Sequence, residues 1–484
     1  MSEGVFDRVF AKVFDRDSGG VPDRRFDQVS VRTDGAPAVA TCLLPVDASG
    51  NVQDLRGLEA HTAAYGSMPT IPRAADGRPG ALVDEIHAAG LRGRGGGWFP
   101  TARKIHAVVE SAAARRALSS GRKPVVIANA MEGEPASGKD AVLISHSPHL
   151  VLDGLQAAAL TIGATSAFIA VHRGSPLIDV LDAAIAERRG TDQVKVELVT
   201  PPARYVASEE TALTHWIGDG TATPVFGGRP FQRGVDGRPT LVQNAETLAH
   251  IALIARHGGA WFEAVGDPQA PGTALVTVGG AVGRAGVIEV PTGTPVTEIL
   301  RRCGGLADGV AGFLTGGYGG AWAKPEEIMA ASWTPDSVQH AGGVIGAGIL
   351  VALSKDTCAL TEMVNVASWM AGESAGQCGP CRFGLPSVAD DLSVLESATA
   401  STEDLHRLES RLGLVVGRGG CKHPDGTARF VSTGLHTFHE EVAHHLNGRC
   451  TGKGSDDTTR QRRATLPTPD RREAPVSAPG KDFR

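Results

Sequence analysis

Apolar and polar positions follow an alternating helix–strand pattern from about residue 81 to residue 199. Segments with helical spacing alternate with short, continuously apolar runs. The predicted helices are 81–89, 150–161 and 176–188, and the predicted strands are 123–128, 166–171 and 194–199. Apolar strands separated by helix-length segments are typical of a parallel sheet covered on both faces. The pattern therefore predicts an α/β domain, which we place at 76–262.

The pattern changes twice after this domain. Between 270 and 340, short β-rich runs with turn signals surround one helix at 296–303, which predicts a compact β-grasp domain. Helical spacing then dominates 355–447 and predicts a helical bundle. The flanking segments lack such patterns. We predict an irregular N-terminal extension at 1–75 and a disordered, polar and Pro-rich tail at 448–484.

Composition and charge exclude several classes of function. The net charge of −6 and the pI near 6.2 argue against nucleic acid as a partner, since phosphate binding requires a basic face. No apolar run approaches the roughly 20 residues of a membrane-spanning helix. The start of the chain lacks the basic and apolar regions of a secretory signal. We therefore expect a cytoplasmic protein with no direct membrane insertion.

Three of the seven cysteines are spaced as metal ligands. Cys378 and Cys381 form a Cys-x-x-Cys pair, and Cys421 follows in the sequence Gly-Cys-Lys-His. The pair alone fits a redox dithiol, half of a zinc site or part of an iron–sulfur site, whereas a distant third cysteine favours the cluster. The other four cysteines show no ligand spacing and are interpreted as structural: Cys42, Cys303, Cys358 and Cys450.

A glycine-rich segment at 90–101 is the first candidate for ligand binding. Clustered glycines let backbone N–H groups approach an anion closely, and Arg92, Arg94 and Lys104 supply positive charge. A flexible surface turn would explain the glycines alone, but the cations favour the phosphate of a nucleotide or flavin. The segment lacks the G-x-G-x-x-G fingerprint, so it is not an ordinary dinucleotide site.

Polar residues follow the first predicted strand and recur in two later segments. Asn129 and the glutamates within 132–134 come directly after that strand, where open α/β sheets bind ligands. The segment beginning at Tyr205 is also explained by a helix start with Ser208 as its N-cap, and Asn244 begins a similar segment. Taken singly, each segment fits a solvated loop or a capped helix as well as a binding site.

In this order the segments resemble the flavin-bearing, NADH-oxidising 51 kDa (F) subunit of respiratory complex I and the related diaphorase subunits of NAD-linked hydrogenases and formate dehydrogenases. The resemblance covers 81–446 and rests on Gly93-Arg94-Gly95-Gly96, Asn129…Glu132-Gly133-Glu134, Tyr205…Glu209-Glu210, Asn244…Glu246-Thr247 and Cys378…Pro380-Cys381-Arg382. It implies a Rossmann-like FMN- and NADH-binding α/β domain, a soluble-ligand-binding β-grasp (SLBB) domain and a C-terminal helical bundle that carries an iron–sulfur site.

The resemblance also implies which residues contact the flavin and the nucleotide. NADH would stack on FMN, with Phe99 and Phe231 flanking its adenine, while Glu134 and Glu210 contact its ribose and nicotinamide regions. No catalytic acid, base or nucleophile is implied, because the flavin supplies the chemistry. The residues implied to hold FMN are Gly93, Arg94, Gly95, Gly96, Lys104, Asn129, Glu132, Tyr205, Glu209, Glu210, Asn244 and Thr247.

The cluster is where the sequence departs most from this family. Cys378, Cys381 and Cys421 are the implied metal ligands, but Ala375 stands where relatives carry a fourth cysteine. The cluster could remain [4Fe–4S] with another ligand such as His423, become [3Fe–4S], or be absent. The flavin site also differs from the family pattern. Trp98 would place an indole where the flavin or nicotinamide needs room. The substituted positions are Met131 for aspartate, Trp98 for glycine, Ala107 for an aromatic residue and Gly228 for lysine.

These features favour a divergent paralogue that passes electrons from NADH or NADPH through FMN and the cluster to a partner. The partner implied by the family is a small thioredoxin-like [2Fe–2S] subunit or a ferredoxin. We expect the protein to be cytoplasmic or peripheral to a membrane complex. Two alternatives stay open: a flavin or cluster relay that no longer oxidises NADH, and a redox-silent scaffold that uses its β-grasp domain to bind a ligand or partner.

Overall fold

The computed structural model describes residues 43–47, 51–74, 77–117, 123–307, 309–452 and 466. Cys42 and the first part of the predicted N-terminal extension lie outside the described residues. Nearly all of the predicted disordered tail also lies outside them. The structural statements below concern the described part of the chain.

The first domain is a parallel sheet with an apolar cluster on each face. Its strands are β1 (Val125–Asn129), β2 (Ser166–Ala170), β3 (Val196–Val199) and β4 (Thr240–Asn244). Because side chains alternate along a strand, Val126 and Ala128 join one cluster while Val125 and Ile127 join the other. The surrounding helices are α1 (Leu58–Tyr65), α2 (Leu82–Ala88), α3 (Thr101–Ala117), α4 (Lys139–His146), α5 (Pro148–Ile162), α6 (Leu177–Glu187), α7 (Glu210–Asp219), α8 (Pro230–Arg233), α9 (Ala245–His257) and α10 (Gly259–Glu263).

The sheet has the strand order β3–β2–β1–β4, and every neighbouring pair is parallel. The predicted α/β fold with crossover helices is therefore confirmed. Strand β4 is missing from the sequence prediction, because its five residues include Thr, Gln and Asn and do not form a continuous apolar run. Its register matters for function, since Asn129 and Asn244 are paired at the carboxyl ends of β1 and β4.

Part of the predicted irregular N-terminal extension is well packed and joins two domains. Helix α1 lies within it, and Leu43 and Leu44 are fully buried. Their backbone N–H groups donate to Glu289 Oε2 at 2.9 Å and 3.0 Å. The extension is therefore an integral part of the fold, which a pattern broken by Gly, Pro and Asp does not indicate.

The second domain is a five-stranded mixed sheet with the order β10–β9–β11–β7–β8. The predicted boundary at 340 is too early, because the middle strand of this sheet is β11. The elements of this region are β5 (Gly266–Asp267), β6 (Ala270–Pro271), β7 (Thr273–Gly280), β8 (Gly286–Pro291), α11 (Val296–Arg302), β9 (Val310–Thr315), β10 (Ala321–Ala323), α12 (Pro325–Met329), α13 (Pro335–His340) and β11 (Ile349–Ser354).

The third domain is the predicted helical bundle, and it shares a core with the β-grasp sheet. Trp322 and Val351 of the sheet pack in one cluster with Met363, Leu392 and Phe430 of the bundle. None of the described helices is long and apolar enough to cross a membrane. The bundle consists of α14 (Ala359–Gly372), a π-helical turn (Pro380–Gly384), α15 (Leu385–Glu396), α16 (Thr402–Val415), α17 (His423–Thr437) and α18 (His439–Leu446).

Candidate functional site

A cavity of about 480 Å³ opens at the carboxyl ends of β1 and β4. Residues from all three domains line it, including the glycine-rich segment, Cys421 and His423. Twelve of the fifteen residues implied to bind FMN or NADH are in its wall: Gly93, Gly95, Gly96, Phe99, Lys104, Asn129, Glu132, Glu134, Tyr205, Glu209, Glu210 and Asn244.

Two glycines of the wall are required by close packing between loops. A Cβ atom on Gly95 would lie 3.0 Å from Asn244 Cβ. A Cβ on Gly133 would lie 2.7 Å from Ser208 Oγ and 3.0 Å from the Tyr205 carbonyl oxygen, closer than real Cβ contacts. The glycines therefore let three loops converge and leave backbone facing the cavity, where a ligand can approach it closely.

Trp98 packs against the β-grasp domain. Its indole is only 8% exposed, and Nε1 donates to the Gly346 carbonyl at 3.2 Å. The Arg94 guanidinium lies 4.3 Å from the ring centroid, a cation–π contact. The φ of Trp98, 46°, lies in the left-handed region that favours glycine, so the backbone conformation suited to glycine is retained here. Trp98 is part of the cavity wall, and its indole is fixed against the β-grasp domain.

Three residues implied to bind the cofactors lie outside the cavity wall. Arg94 is buried, and its guanidinium donates to the carbonyls of Thr273 and Pro271, so it joins the glycine loop to the β-grasp domain and not to a phosphate. Thr247 is also buried, and its Oγ1 accepts from the Arg94 backbone N–H. Phe231, on α8, packs against the main core of the α/β domain. All three therefore serve packing between elements.

Two glutamates of the wall hold helix starts in place. Glu132 accepts hydrogen bonds from the backbone N–H groups of Asp140 and Ala141 in the first turn of α4, at 3.0 Å and 2.9 Å. Glu209 caps α7 by accepting from the N–H groups of Thr211 and Ala212. The predicted cap at Ser208 is therefore wrong by one residue. Burial raises the pKa of Glu132 to about 7, with the charge of Asp140 adding to the shift.

Glu134 is a buried carboxylate that joins the α/β and β-grasp domains. It accepts from the Tyr318 backbone N–H at 2.9 Å and from the side chain of Tyr205. Burial raises its pKa to about 7, and these hydrogen bonds oppose the shift only in part. The carboxyl group therefore takes up a proton close to neutral pH, within the cavity wall.

Glu134→Gln should change how stability depends on pH. In the wild type the folded-state pKa is raised, so the folded chain holds more protons than the unfolded chain between about pH 4.5 and pH 7. Wild-type stability should fall as pH rises through this window, by on the order of 2–3 kcal/mol from this group. Glu134→Gln should flatten that slope in urea unfolding series, whereas the exposed Glu197→Gln should not. Parallel curves for all three proteins would refute the assignment.

Lys139 forms the centre of a buried ion network beneath the cavity. Its Nζ lies 2.7 Å from Asp140 Oδ1, 3.0 Å from Glu246 Oε2 and 2.9 Å from Asn244 Oδ1. Burial alone would lower the pKa of Lys139, but the two carboxylates outweigh it and raise the pKa above its usual value. The ammonium is therefore permanently charged, and it fixes Asn244 at the end of β4. The resemblance did not assign a role to this lysine.

Lys104 and Glu210 form an ion pair in the cavity wall. The Glu210 side chain is 44% exposed, so both groups can exchange this contact for another partner. Phe99 is half exposed nearby, and Arg103 lies 5.4 Å from its ring centroid. Polar and aromatic surfaces of the wall are therefore available to a ligand at these residues.

The three candidate cluster ligands are close enough to interact electrostatically, and Cys421 is part of the cavity wall. Cys381 is on the π-helical turn, Cys378 comes just before it, and Cys421 precedes α17. Burial and the neighbouring thiols of Cys378 and Cys421 raise the pKa of Cys381 above its usual value. A cationic iron core would favour the thiolate form at such a site.

Ala375 and His423 decide what can complete that site. Ala375 lies three residues before Cys378 and packs against the same apolar cluster as Cys421. His423 is buried, its Nε2 lies 2.8 Å from the Met370 carbonyl oxygen, and burial lowers its pKa to about 4. Its Nδ1 has no hydrogen-bond partner among the described residues. His423 is thus a neutral imidazole in the cavity wall, two residues after Cys421.

Several wall residues were not predicted, and most come from the other two domains. The β-grasp domain contributes Gly316, Gly319 and Gly346, and the bundle contributes Met370 and Arg429. The run Thr-Gly-Gly-Tyr-Gly-Gly at 315–320 was the available signal, since clustered glycines indicate close backbone approach. No local signal marks Met370 or Arg429, because only the packing of α14 and α17 brings them to the cavity.

Comparison with known sequence families gives matches over each domain. The Nuo51 FMN-binding domain matches residues 86–253. The SLBB domain matches 275–317, and the NADH-ubiquinone oxidoreductase-F iron-sulfur binding region matches 361–445. These three matches follow the order of the α/β domain, the β-grasp sheet and the helical bundle.

Similar proteins extend over most of the chain. The F 2 subunit of NADH-quinone oxidoreductase from Rhizobium meliloti (strain 1021) is 29% identical over 388 residues, covering 77% of this chain and 90% of the relative. The corresponding F subunit from Streptomyces coelicolor is 28% identical over 390 residues, covering 77% and 84%. The crystal structure of an NAD+-reducing [NiFe]-hydrogenase in the H2-reduced state superposes with a TM-score of 0.68 at 28% identity. That match covers 78% of this chain and 63% of the hydrogenase chain.

The fold and the site define a flavin-binding electron-transfer subunit with an SLBB domain and a C-terminal iron–sulfur region. More specifically, its matched regions and its relatives are those of the 51 kDa (F) subunit family of NADH:quinone oxidoreductase, which confirms the resemblance. FMN, NADH and an iron–sulfur cluster are the cofactors of this family's regions, and the chain is of the NADH dehydrogenase type.

Proposed function

We propose that this chain takes electrons from NADH at the cavity and delivers them through the cysteine site to a separate iron–sulfur protein. One observation carries the proposal. The glycine-rich loop, Cys421 and His423 all line the same cavity. A flavin in that cavity would lie against a cluster ligand, which is the short separation that electron transfer needs.

The residues present fit FMN. The cavity of about 480 Å³ is within the range of ordinary cofactor sites, and Gly95 and Gly133 leave backbone at its surface. Lys104 supplies a cation for the phosphate once it leaves Glu210. When bound, FMN supplies the conversion between a two-electron hydride donor and one-electron acceptors. The chain's own part is to bind, orient and exclude water, through the loops fixed by Glu132, Glu209 and Asn129.

Asn129 and Met131 illustrate how the chain substitutes packing for polar contacts. Asn129 Nδ2 donates to the Ser208 carbonyl at 2.9 Å, which fixes the loop after β1 to the turn before α7. Met131, in place of the family's aspartate, is fully buried with Val206 and Leu213. The loop is therefore held by apolar contact at a position where relatives use a charge, and flavin affinity relies on the remaining wall.

NADH recognition would use the exposed side chains of the cavity wall. Phe99 is 50% exposed and offers a ring for stacking on adenine. The Glu210 side chain is 44% exposed, so its carboxylate is also available to the nucleotide. Glu134 is less suited to direct contact with a ribose, because both its oxygens accept hydrogen bonds from the protein. We therefore assign ribose or nicotinamide contact to Glu210 and a positioning role to Glu134.

The cysteine site is proposed to hold a three-iron cluster. Cys378, Cys381 and Cys421 supply three thiolates, which match the three irons of a [3Fe–4S] core. His423 is the described side chain that could ligate a fourth iron, through Nδ1. Its bond to Met370 and its packing on Tyr205, at 5.4 Å between ring centroids, favour a fixed position in the cavity wall instead.

The partner is proposed to be a small thioredoxin-like [2Fe–2S] subunit or a ferredoxin that docks beside the cysteine site. Two aromatic side chains next to the cysteines are well exposed: Phe226 at 57% and Phe383 at 67%. Phe226 lies against Gly420, the neighbour of Cys421, and Phe383 follows Cys381 by two residues. Exposed aromatic residues are enriched at protein interfaces. Such docking would place the chain at the periphery of a larger assembly.

An anaerobic titration with NADH tests the proposal. The full chain, purified without oxygen, should contain FMN and iron, and NADH should bleach the flavin absorbance. Gly133→Ala should lose FMN, because the new Cβ would lie 2.7 Å from Ser208 Oγ. Gly413→Ala is the matched control, since a Cβ there meets no atom within 4 Å.

Each result of the titration has a distinct meaning. Flavin that NADH does not bleach would refute NADH oxidation and indicate a relay. A chain with neither flavin nor iron would refute electron transfer altogether and indicate a scaffold. Retention of FMN by Gly133→Ala would show that the flavin does not occupy this cavity.

A further inference from the structure

Four side chains with metal-ligand chemistry converge at a place remote in sequence from the cysteine site. They are Cys358, at the start of α14, Glu441 and His445 on α18, and Cys450 just after α18. One ligand atom of each lies within 4.8 Å of all the others. Spacing along the chain does not group Cys358 with Cys450, because neither belongs to a Cys-x-x-Cys pair. Their interpretation as isolated structural cysteines is therefore revised.

The separations match a tetrahedral metal site. His445 Nε2 lies 3.5 Å from Cys358 Sγ and 3.1 Å from Glu441 Oε1, and Cys450 Sγ lies 3.9 Å from the same oxygen. Bond lengths of about 2.0–2.3 Å around a tetrahedral Zn²⁺ place its ligand atoms roughly 3.3–3.8 Å apart. One ion at the centre would satisfy all four with small side-chain movements.

Local structure holds these ligands in place. Glu441 and His445 are one helical turn apart, so they project from the same face of α18. Cys358 and His445 are buried, and a Cβ on Gly452 would lie 2.9 Å from Cys358 Cβ, so the segment after Cys450 packs directly on Cys358. Thr451 donates its hydroxyl to Glu441 and thereby orients the carboxylate.

We propose that Cys358, Glu441, His445 and Cys450 form a structural zinc site. Two sulfurs, one imidazole nitrogen and one carboxylate oxygen are all donors that Zn²⁺ accepts, and a closed set of four protein ligands defines a structural rather than a catalytic site. The ion would join the C-terminal helix α18 and the segment after it to the start of α14. Helix α14 leads directly into the loop that contains Ala375 and Cys378. By fixing the start of α14, the zinc would help to hold this helix, and the loop that follows it, in place.

Zinc analysis of the full chain with its iron–sulfur site intact tests the proposal. We expect about one zinc per chain in the wild type. Cys358→Ser and Cys450→Ser should each lower zinc affinity by more than about tenfold, measured by competition with a chromophoric chelator. Cys303→Ser is the matched control, because Cys303 is a buried thiol of the β-grasp core and should keep the zinc.

A second measurement covers the case in which these variants do not fold. Wild-type protein loaded with Co²⁺ should show thiolate-to-cobalt absorption, and the band should persist in Cys378→Ser/Cys381→Ser, which removes two of the three cluster ligands. Loss of the band in that variant would place the metal at the cluster cysteines and overturn the proposal. So would a wild type that binds neither zinc nor cobalt, or a thiol titration that finds Cys358 and Cys450 joined as a disulfide.

Discussion

Ala375→Cys is expected to raise the iron content from about three to about four per chain. Ala375 lies three residues before Cys378 and packs against the same apolar cluster as Cys421, so we expect a cysteine there to place its sulfur near the existing ligands. A fourth thiolate would retain the iron that three thiolates leave exposed. The change should be large, because it alters the composition of the cluster and not only its surroundings.

Electron paramagnetic resonance distinguishes the two cluster types. Three ferric ions together have an odd number of unpaired electrons, so oxidised wild type should give a signal. An oxidised four-iron core has an even electron count, so Ala375→Cys should be silent until it is reduced. Ala375→Ser is the matched control, because it adds a side chain of similar size without a thiolate and should keep the wild-type signal.

Four irons in the wild type would contradict the three-iron assignment. In that case His423→Ala decides the ligand. If Nδ1 of His423 holds the fourth iron, this variant should lose one iron, and Ala375→Cys should then make the histidine dispensable. If iron stays at four in His423→Ala, a non-protein ligand completes the cluster.

The fold was predictable where a local pattern of apolar residues is enough to specify a helix or a strand. Strand β1 is continuously apolar because both its faces are covered, and the sequence shows this directly. Strand β4 and the ordered N-terminal extension were missed for a common reason. Their contacts are few and are made with residues far away in the sequence, such as the hydrogen bonds from the Leu43 and Leu44 backbone N–H groups to Glu289. A local pattern of apolar residues cannot indicate such contacts.

The site was predictable in composition but not in the roles of its residues. Motif matching brought Glu132 and Arg94 forward as cofactor ligands, yet the first stabilises a helix start and the second joins two domains. Which polar atom faces a ligand depends on the packing between domains, and no single segment of the sequence determines that packing. The Cys358 and Cys450 pairing has the same origin, since α14 and α18 meet only in the folded bundle.

Lys139→Met should destabilise the α/β domain by about 3–5 kcal/mol, since it leaves buried carboxylates without a counter-charge. The Lys139 ammonium is enclosed by Asp140, Glu246 and Asn244, at 2.7 Å, 3.0 Å and 2.9 Å from the nearest oxygen of each. Methionine preserves much of the volume, so the loss is mainly electrostatic. The midpoint of urea unfolding, followed by circular dichroism, should fall strongly. Lys195→Met should shift it little, because Lys195 is an exposed lysine paired with Glu197.

A second substitution tests whether uncompensated charge is the cause. Glu246→Gln, added to Lys139→Met, removes one of the two buried carboxylates while keeping an oxygen to accept the Leu275 backbone N–H at 2.8 Å. The double variant should therefore recover part of the lost stability, although Glu246→Gln alone should be destabilising because it weakens the network around Lys139. Such a reversal of sign is expected only when the two residues interact directly. If the two losses simply add, the destabilisation arises from altered packing at Lys139, and the ion network does not hold Asn244 and the cavity floor in place.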